Sequence, residues 1–195
     1  MRNSNIERKT KETKIKLELN IDGTGKRNIS TKIGFLNHML DLFAKHGLFD
    51  LKIDCKGDLE IDDHHTIEDV GIVLGQAFNK AIQDKKGIKR YGQRLLPMDE
   101  VLCLCAVDFS GRSFFTTDAK FTREKVNDFS TECVYDFFYS FAINAGINLQ
   151  FKLFNGRNEH HKIEAMFKAF ARALREACEI DICCKDKIPS TKEVL

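Results

Sequence analysis

A chain of 195 residues, 43% hydrophobic and 31% charged, is long enough to bury one core or two small halves packed together, and its composition excludes a disordered polymer. Lys plus Arg (31) against Asp plus Glu (29) leaves a net charge of +2, which gives no electrostatic case for nucleic acid or a membrane surface, so an anionic ligand must be held by a local cluster. The N-terminus, Met1-Arg2-Asn3-Ser4-Asn5, leads into charged sequence, and no run approaches the ~18 apolar residues of a spanning helix, so a cytoplasmic protein is expected.

Lys14 to Ile21 alternate strictly between polar and apolar residues, as a half-buried strand does, and Asp22-Gly23-Thr24-Gly25 reads as the turn after it. From Phe35 to Phe49 the apolar positions recur with helical spacing, His38 falls in the first turn, and Gly47 stands where a C-cap glycine would. Leu51 to Cys55 and Asp58 to Ile61 alternate again and suggest a hairpin. It leads into Asp62-Asp63-His64-His65-Thr66-Ile67-Glu68-Asp69, which opens a helix marked by Ile67, Val70, Leu74, Phe78 and Ala81. Strand-like runs follow at Glu100 to Phe109 and Phe114 to Phe121, then a helix over Val134 to Asn144 and a strand over Ile147 to Phe154. A second doublet, Glu159-His160-His161-Lys162-Ile163-Glu164, opens the last helix, and the tail around Pro189-Ser190-Thr191-Lys192 is irregular. The seven cysteines (55, 103, 105, 133, 178, 183 and 184) form no CxxC pair and read as reduced structural thiols; only Cys183-Cys184 invites another reading.

Ile67, Val70, Leu74, Phe78 and Ala81 fall opposite Ile163, Met166, Phe170, Leu174 and Ala177 at one offset of 96, and His38-Met39-Leu40 falls opposite Asp136-Phe137-Phe138 at 98. The chain therefore contains an internal repeat. Strands running into paired helices in each half predict a duplicated α+β unit, mainly antiparallel sheet with helices packed on one face.

If each doublet starts a helix, His64 and Glu68 share one face, as do His160 and Glu164, while His65 and His161 point roughly 100° away. Diverging imidazoles serve two ions better than one, so a two-metal site is expected. Pseudo-symmetry assigns His64, Glu68, Asp136 and His161 to one ion and His160, Glu164, His38 and His65 to the other. Mixed nitrogen and oxygen donors with open positions suit Mn²⁺ better than a closed zinc site, and ions on nitrogenous substrate atoms would act as Lewis acids. A solvated helix start also carries Asp and His, but two copies in register with the same apolar stripe outweigh it. His46 reads equally well as an imidazole at a helix C-terminus. Arg90, Arg112, Ser190 and Lys192 together could hold a phosphate, although each alone reads as surface charge.

The motifs Thr10-Lys11-Glu12-Thr13, Gly34-Phe35-Leu36-Asn37-His38-Met39-Leu40, Asp62 to Gly71, Pro97-Met98-Asp99-Glu100, Ser110-Gly111-Arg112, Gly156 to Ala165 and Pro189-Ser190-Thr191-Lys192 resemble, nearly end to end, the imidazoleglycerol-phosphate dehydratase family of histidine biosynthesis. That resemblance implies a hydro-lyase with two Mn²⁺ per active site that converts D-erythro-imidazole-glycerol phosphate to imidazole-acetol phosphate through an imidazolate and a diazafulvene-like intermediate. It implies one domain over 1–195, made of two ribosomal-S5-domain-2-like pseudo-repeats (roughly 1–90 and 91–185) and a tail, 186–195. It also implies a homo-oligomer of about 24 subunits with active sites at their contacts. His38, His64, His65, Glu68, Asp136, His160, His161 and Glu164 would be the metal ligands. Glu12 would handle protons, and Arg90, Arg112, Ser190, Thr191 and Lys192, with the segments 38–46 and 160–168 that contain His46 and Lys168, would contact substrate. Asn37 in place of Asp, Gln150 in place of a common His and Glu193 in place of Gly depart from the family pattern; Asp136 is milder, since His or Glu is common there. The ligands alone would also permit a binuclear phosphate-ester hydrolase or a metal-stabilised assembly protein without turnover.

Overall fold

The computed structural model describes all 195 residues. Its elements are β1 (Asn3–Lys9), β2 (Thr13–Asn20), β3 (Arg27–Ser30), α1 (Gly34–Gly47), β4 (Asp50–Gly57), α2 (His64–Ile82), β5 (Tyr91–Met98), β6 (Val101–Asp108), β7 (Phe114–Thr117), β8 (Lys125–Val126), β9 (Phe129–Ser130), α3 (Cys133–Ala145), β10 (Asn148–Asn155) and α4 (Glu159–Cys178). Two four-stranded sheets have the orders β1-β2-β4-β3 and β5-β6-β10-β7. In both, the first two pairings are antiparallel and the last, β3 with β4 or β7 with β10, is parallel. One order with one set of strand senses, occurring twice, is the duplication that the repeat predicts.

β2 and β4 alternate buried and exposed residues, and β6 buried and half-buried ones, so each sheet turns one fully buried face inward, and the helices cover it. α2 lies on β1 and β2, α4 on β5 and β6, while α2 also packs on α3 and α1 on α4. The helices of the two halves thus close a single core. Four rings mark its centre, one per helix: Phe43, Phe78, Phe141 and Phe170 form a closed circuit with centroids 4.9 to 5.9 Å apart.

Three local expectations are corrected. Residues 58–61 are not a hairpin arm: β4 runs to Gly57, and the chain then turns, with the Ile61 amide donating to the Asp58 carbonyl at 2.9 Å. The strand expected over 114–121 ends at Thr117. At the end of α1 the left-handed residue is Leu48 (φ 55°), and Gly47 is the last helical residue. A Cβ on Gly47 would lie 2.2 Å from the Phe49 ring, so this glycine makes room for an aromatic core residue.

All seven cysteines are free thiols, five of them buried, with only Cys183 and Cys184 exposed. Burial pushes Cys55, Cys103 and Cys178 up to about 12, as inert structural thiols require.

Candidate active site

The two histidine doublets form the first turns of α2 and α4. Asp62 Oδ1 accepts the His64 amide at 2.9 Å, and Asn158 Oδ1, its counterpart 96 residues on, accepts those of His160 and His161. Asn158 is the N-cap of α4 and Asp62 lies one residue before that of α2; both side chains satisfy amides that a helix start leaves without partners.

In the α4 cluster His38, from α1, and His160 converge on one carboxylate: their Nε2 atoms lie 3.5 and 3.1 Å from Glu164 Oε2. Burial pushes the Glu164 carboxyl up, but Lys168, whose Nζ lies 2.5 Å from Oε1, and His160 outweigh it and hold the group below its ordinary value. Glu164 is therefore an anion against which two imidazoles present nitrogen. His46 is half-buried farther along α1; burial and the charges of Lys168 and Arg172 hold its pKa down.

In the α2 cluster, His64 Nε2 faces Glu68 at 3.6 Å and Nδ1 faces Asp136, from α3, at 3.8 Å. Glu68 and Asp136 therefore flank opposite edges of one ring. Cys133 Sγ is also 3.9 Å from His64 Nδ1. Sequence reasoning counted Cys133 among the structural thiols, and no local pattern marks it, because its neighbour on α2 is remote in the chain. Imidazole and carboxylate donors gathered in both clusters fit a borderline divalent cation.

His65 and His161 join neither cluster. His65 Nδ1 lies 3.1 Å from Asp58 Oδ2, with Glu12 at 4.0 Å from Nε2. His161 Nδ1 lies 2.8 Å from Glu100 Oε2, with Asp99 at 3.7 Å from Nε2. Bonding to Asp58 raises the pKa of His65, and bonding to Glu100 raises that of His161. Within one chain the α4 cluster thus brings together three of the four ligands assigned to its ion, whereas around His64 the two assigned carboxylates stand at different ring nitrogens, Glu68 at Nε2 and Asp136 at Nδ1.

Arg90, Arg112, Ser190, Thr191 and Lys192 line one cavity of about 460 Å³, which contains no residue of either cluster. Arg90 is already engaged: Nε donates to Asp108 at 2.7 Å and Nη1 to the Pro189 carbonyl at 2.8 Å. It ties the tail to the body, leaving the side chains of Arg112 and Lys192 as free cations. Glu193 adopts φ 58° and does not line the cavity. Gln150 is exposed on β10. Asn37 Oδ1 accepts from the amide and hydroxyl of Thr31, both at 2.8 Å. Its side chain therefore fastens the loop before α1 to the first turn of the helix.

The model of the imidazoleglycerol-phosphate dehydratase family matches residues 31–174. The chain is 57% identical over 195 residues to the imidazoleglycerol-phosphate dehydratase of Thermoanaerobacter sp. (strain X514), covering 100% of both. It is 54% identical over 190 residues to that of Clostridium botulinum (strain Alaska E43 / Type E3), covering 97% of this chain and 96% of the relative. The crystal structure of imidazoleglycerol-phosphate dehydratase from Staphylococcus aureus subsp. aureus N315 matches with a TM-score of 0.84 at 41% identity, over 92% of this chain and 99% of that one. That from Pyrococcus furiosus, in complex with (S)-C348, matches with a TM-score of 0.84 at 33% identity, over 97% of this chain and 100% of that one.

Proposed function

The chain belongs to the imidazoleglycerol-phosphate dehydratase family, a family of hydro-lyases, and from that premise we propose that it converts D-erythro-imidazole-glycerol phosphate to imidazole-acetol phosphate in histidine biosynthesis with two Mn²⁺ per active site. The observation that carries this reading is the pair of imidazole–carboxylate clusters at the starts of α2 and α4. When bound, the cations supply Lewis acidity that stabilises negative charge on the substrate ring.

His38, His160 and Glu164 would hold one cation, and His64 with a carboxylate at one of its ring nitrogens, Glu68 at Nε2 or Asp136 at Nδ1, the other. The hydroxyl leaves from the carbon bonded to the ring, a proton leaves the next carbon, and the resulting enol ketonises, so that one water is lost. Glu12 suits the proton transfers: its half-exposed carboxylate makes no hydrogen bond and stands 4.0 Å from His65 Nε2. Arg112, Lys192 and Ser190 would take the phosphate, with Arg90 anchoring the tail that carries two of them.

Two features support shared sites in a homo-oligomer. His65 and His161 point away from the clusters of their own chain, and the cation-lined cavity contains none of the cluster residues. A substrate with a ring at one end and a phosphate at the other would then bridge neighbouring copies.

The test is turnover by chelator-stripped protein before and after Mn²⁺ is returned. The expected result is an enolisable ketone, read by its ultraviolet absorbance in alkali, that forms only with Mn²⁺ and without inorganic phosphate. Phosphate release without ketone would instead establish the hydrolase reading. Folded, metal-loaded protein that yields neither product would establish the non-catalytic one.

A further inference from the structure

The duplication exposes a contact that inheritance alone does not produce. β2 and β6 hold the same place in their sheets, and their first residues, Thr13 and Val101, are 88 apart, so Glu12 and Glu100 are counterparts. Yet they meet opposite edges of the two outward histidines: Glu12 stands off Nε2 of His65 at 4.0 Å, whereas Glu100 lies 2.8 Å from Nδ1 of His161. On His65 the Nδ1 edge is covered by Asp58, at 3.1 Å, from the turn after β4. The counterpart of Asp58 in the turn after β10, 98 residues on, is Gly156, which has no side chain. Both rings therefore set Nδ1 against a carboxylate, but from non-equivalent chain positions. A shared requirement on that ring nitrogen accounts for this; descent from one ancestral half does not.

We propose that Glu100 and Asp58 are positioning residues that hold His161 and His65 as Nδ1–H tautomers and so aim the bare Nε2 of each at a divalent cation. A carboxylate accepts only, so it takes the Nδ1 proton and leaves the lone pair on Nε2. The same bond fixes the ring's rotation and raises its basicity as a ligand. The inference rests on the metal reading proposed above for these two histidines.

Glu100→Gln tests it almost isosterically. Glu100 Oε1 accepts the amides of Asn158 at 2.8 Å and Arg157 at 3.3 Å. Both donors hold the glutamine oxygen in that place, so its NH₂ faces His161 Nδ1 and drives the ring proton to Nε2. Histidine-selective ¹⁵N labelling with magic-angle-spinning NMR reads the tautomers in metal-stripped protein, where neither metal nor turnover enters. One of the six histidines is expected to change tautomer, and Mn²⁺ titration by electron paramagnetic resonance to show one class of site weakened about 10- to 100-fold. Asp58→Asn should do the same at His65, and it keeps the test open should Glu100→Gln fail to fold. Unchanged ¹⁵N spectra in the folded variants overturn the proposal, whatever happens to Mn²⁺ binding. A changed tautomer with unaltered Mn²⁺ binding overturns its cation half and, with it, the metal assignment of these histidines.

Discussion

Asp50 shows what one carboxylate does at the residue scale. Its Oδ1 accepts the amides of Thr24 at 2.8 Å and Lys26 at 2.9 Å, and these bonds hold its pKa below the ordinary 3.8. A Cβ on Gly23 would lie 2.4 Å from the Asp50 amide, so the glycine lets the turn close over this side chain. A folded pKa that is depressed gives stability that is complete above the unfolded value and is lost as the pH falls through the folded one. Asp50→Asn is therefore expected to lower the urea midpoint at neutral pH, and the gap to the native protein to close as the pH drops below 3.8. A gap independent of pH would assign the loss to packing. The same scale separates what a one-dimensional pattern reveals from what it hides. His64 with Glu68 and His160 with Glu164 are helical neighbours, so their spacing shows in the chain. Asp58 beside His65, Glu100 beside His161 and Cys133 beside His64 are brought there by turns and by another helix, with no periodicity to mark them. The commitment of Arg90 to Asp108 is hidden for the same reason.

At the scale of elements, α2 and α3 approach so closely that a Cβ on Gly71 would lie 2.6 Å from the Phe137 carbonyl oxygen, and one on Gly75 would lie 2.6 Å from that of Phe141. Glycine inside a helix ordinarily costs about 1 kcal/mol relative to alanine. Here the sign should reverse, because α3 would have to retreat from a packed core and drag Asp136 with it. Gly71→Ala is expected to cost about 1–3 kcal/mol and lower the Tm by roughly 2–10 °C in calorimetry; a raised Tm would show that the helices can separate freely. The helices and the central strands β2, β4 and β10 were readable because one buried face imposes a period on each, and β6 because Val101 to Val107 is an unbroken apolar run. β1, β3 and β5 were not, and all three are edge strands. β1 buries only Ser4, and β5 only Gly92, so neither carries an apolar alternation. β3 buries no residue fully. The false hairpin arm at 58–61 has the converse cause: Leu59 packs against the core while Ile61 is 66% exposed, which mimics alternation inside a turn.

At the scale of the whole molecule, constant offsets between apolar stripes revealed the duplication, because both halves solve the same packing problem on the same sheet. How copies of the chain meet leaves no such trace, and it must be argued from directions. His38, His160 and Glu164 converge within one chain, but His65 is held elsewhere by Asp58. If each cation joins such a cluster to His65 of a neighbouring copy, two defects in different chains can cancel. His38→Ala spoils the cluster and His65→Ala spoils the outward ligand, so an assembly of either variant alone has no intact site of this kind. In a randomly mixed assembly, a site meets an intact cluster half the time and an intact outward histidine half the time, so roughly a quarter of such sites are whole. Co-expression of the two variants is therefore expected to restore measurable dehydration where each alone shows none. A chain that completed its own site would always carry one defect or the other. Co-expressed protein as inactive as its parents, with both variants present in the purified assembly, would place all the ligands within a single copy.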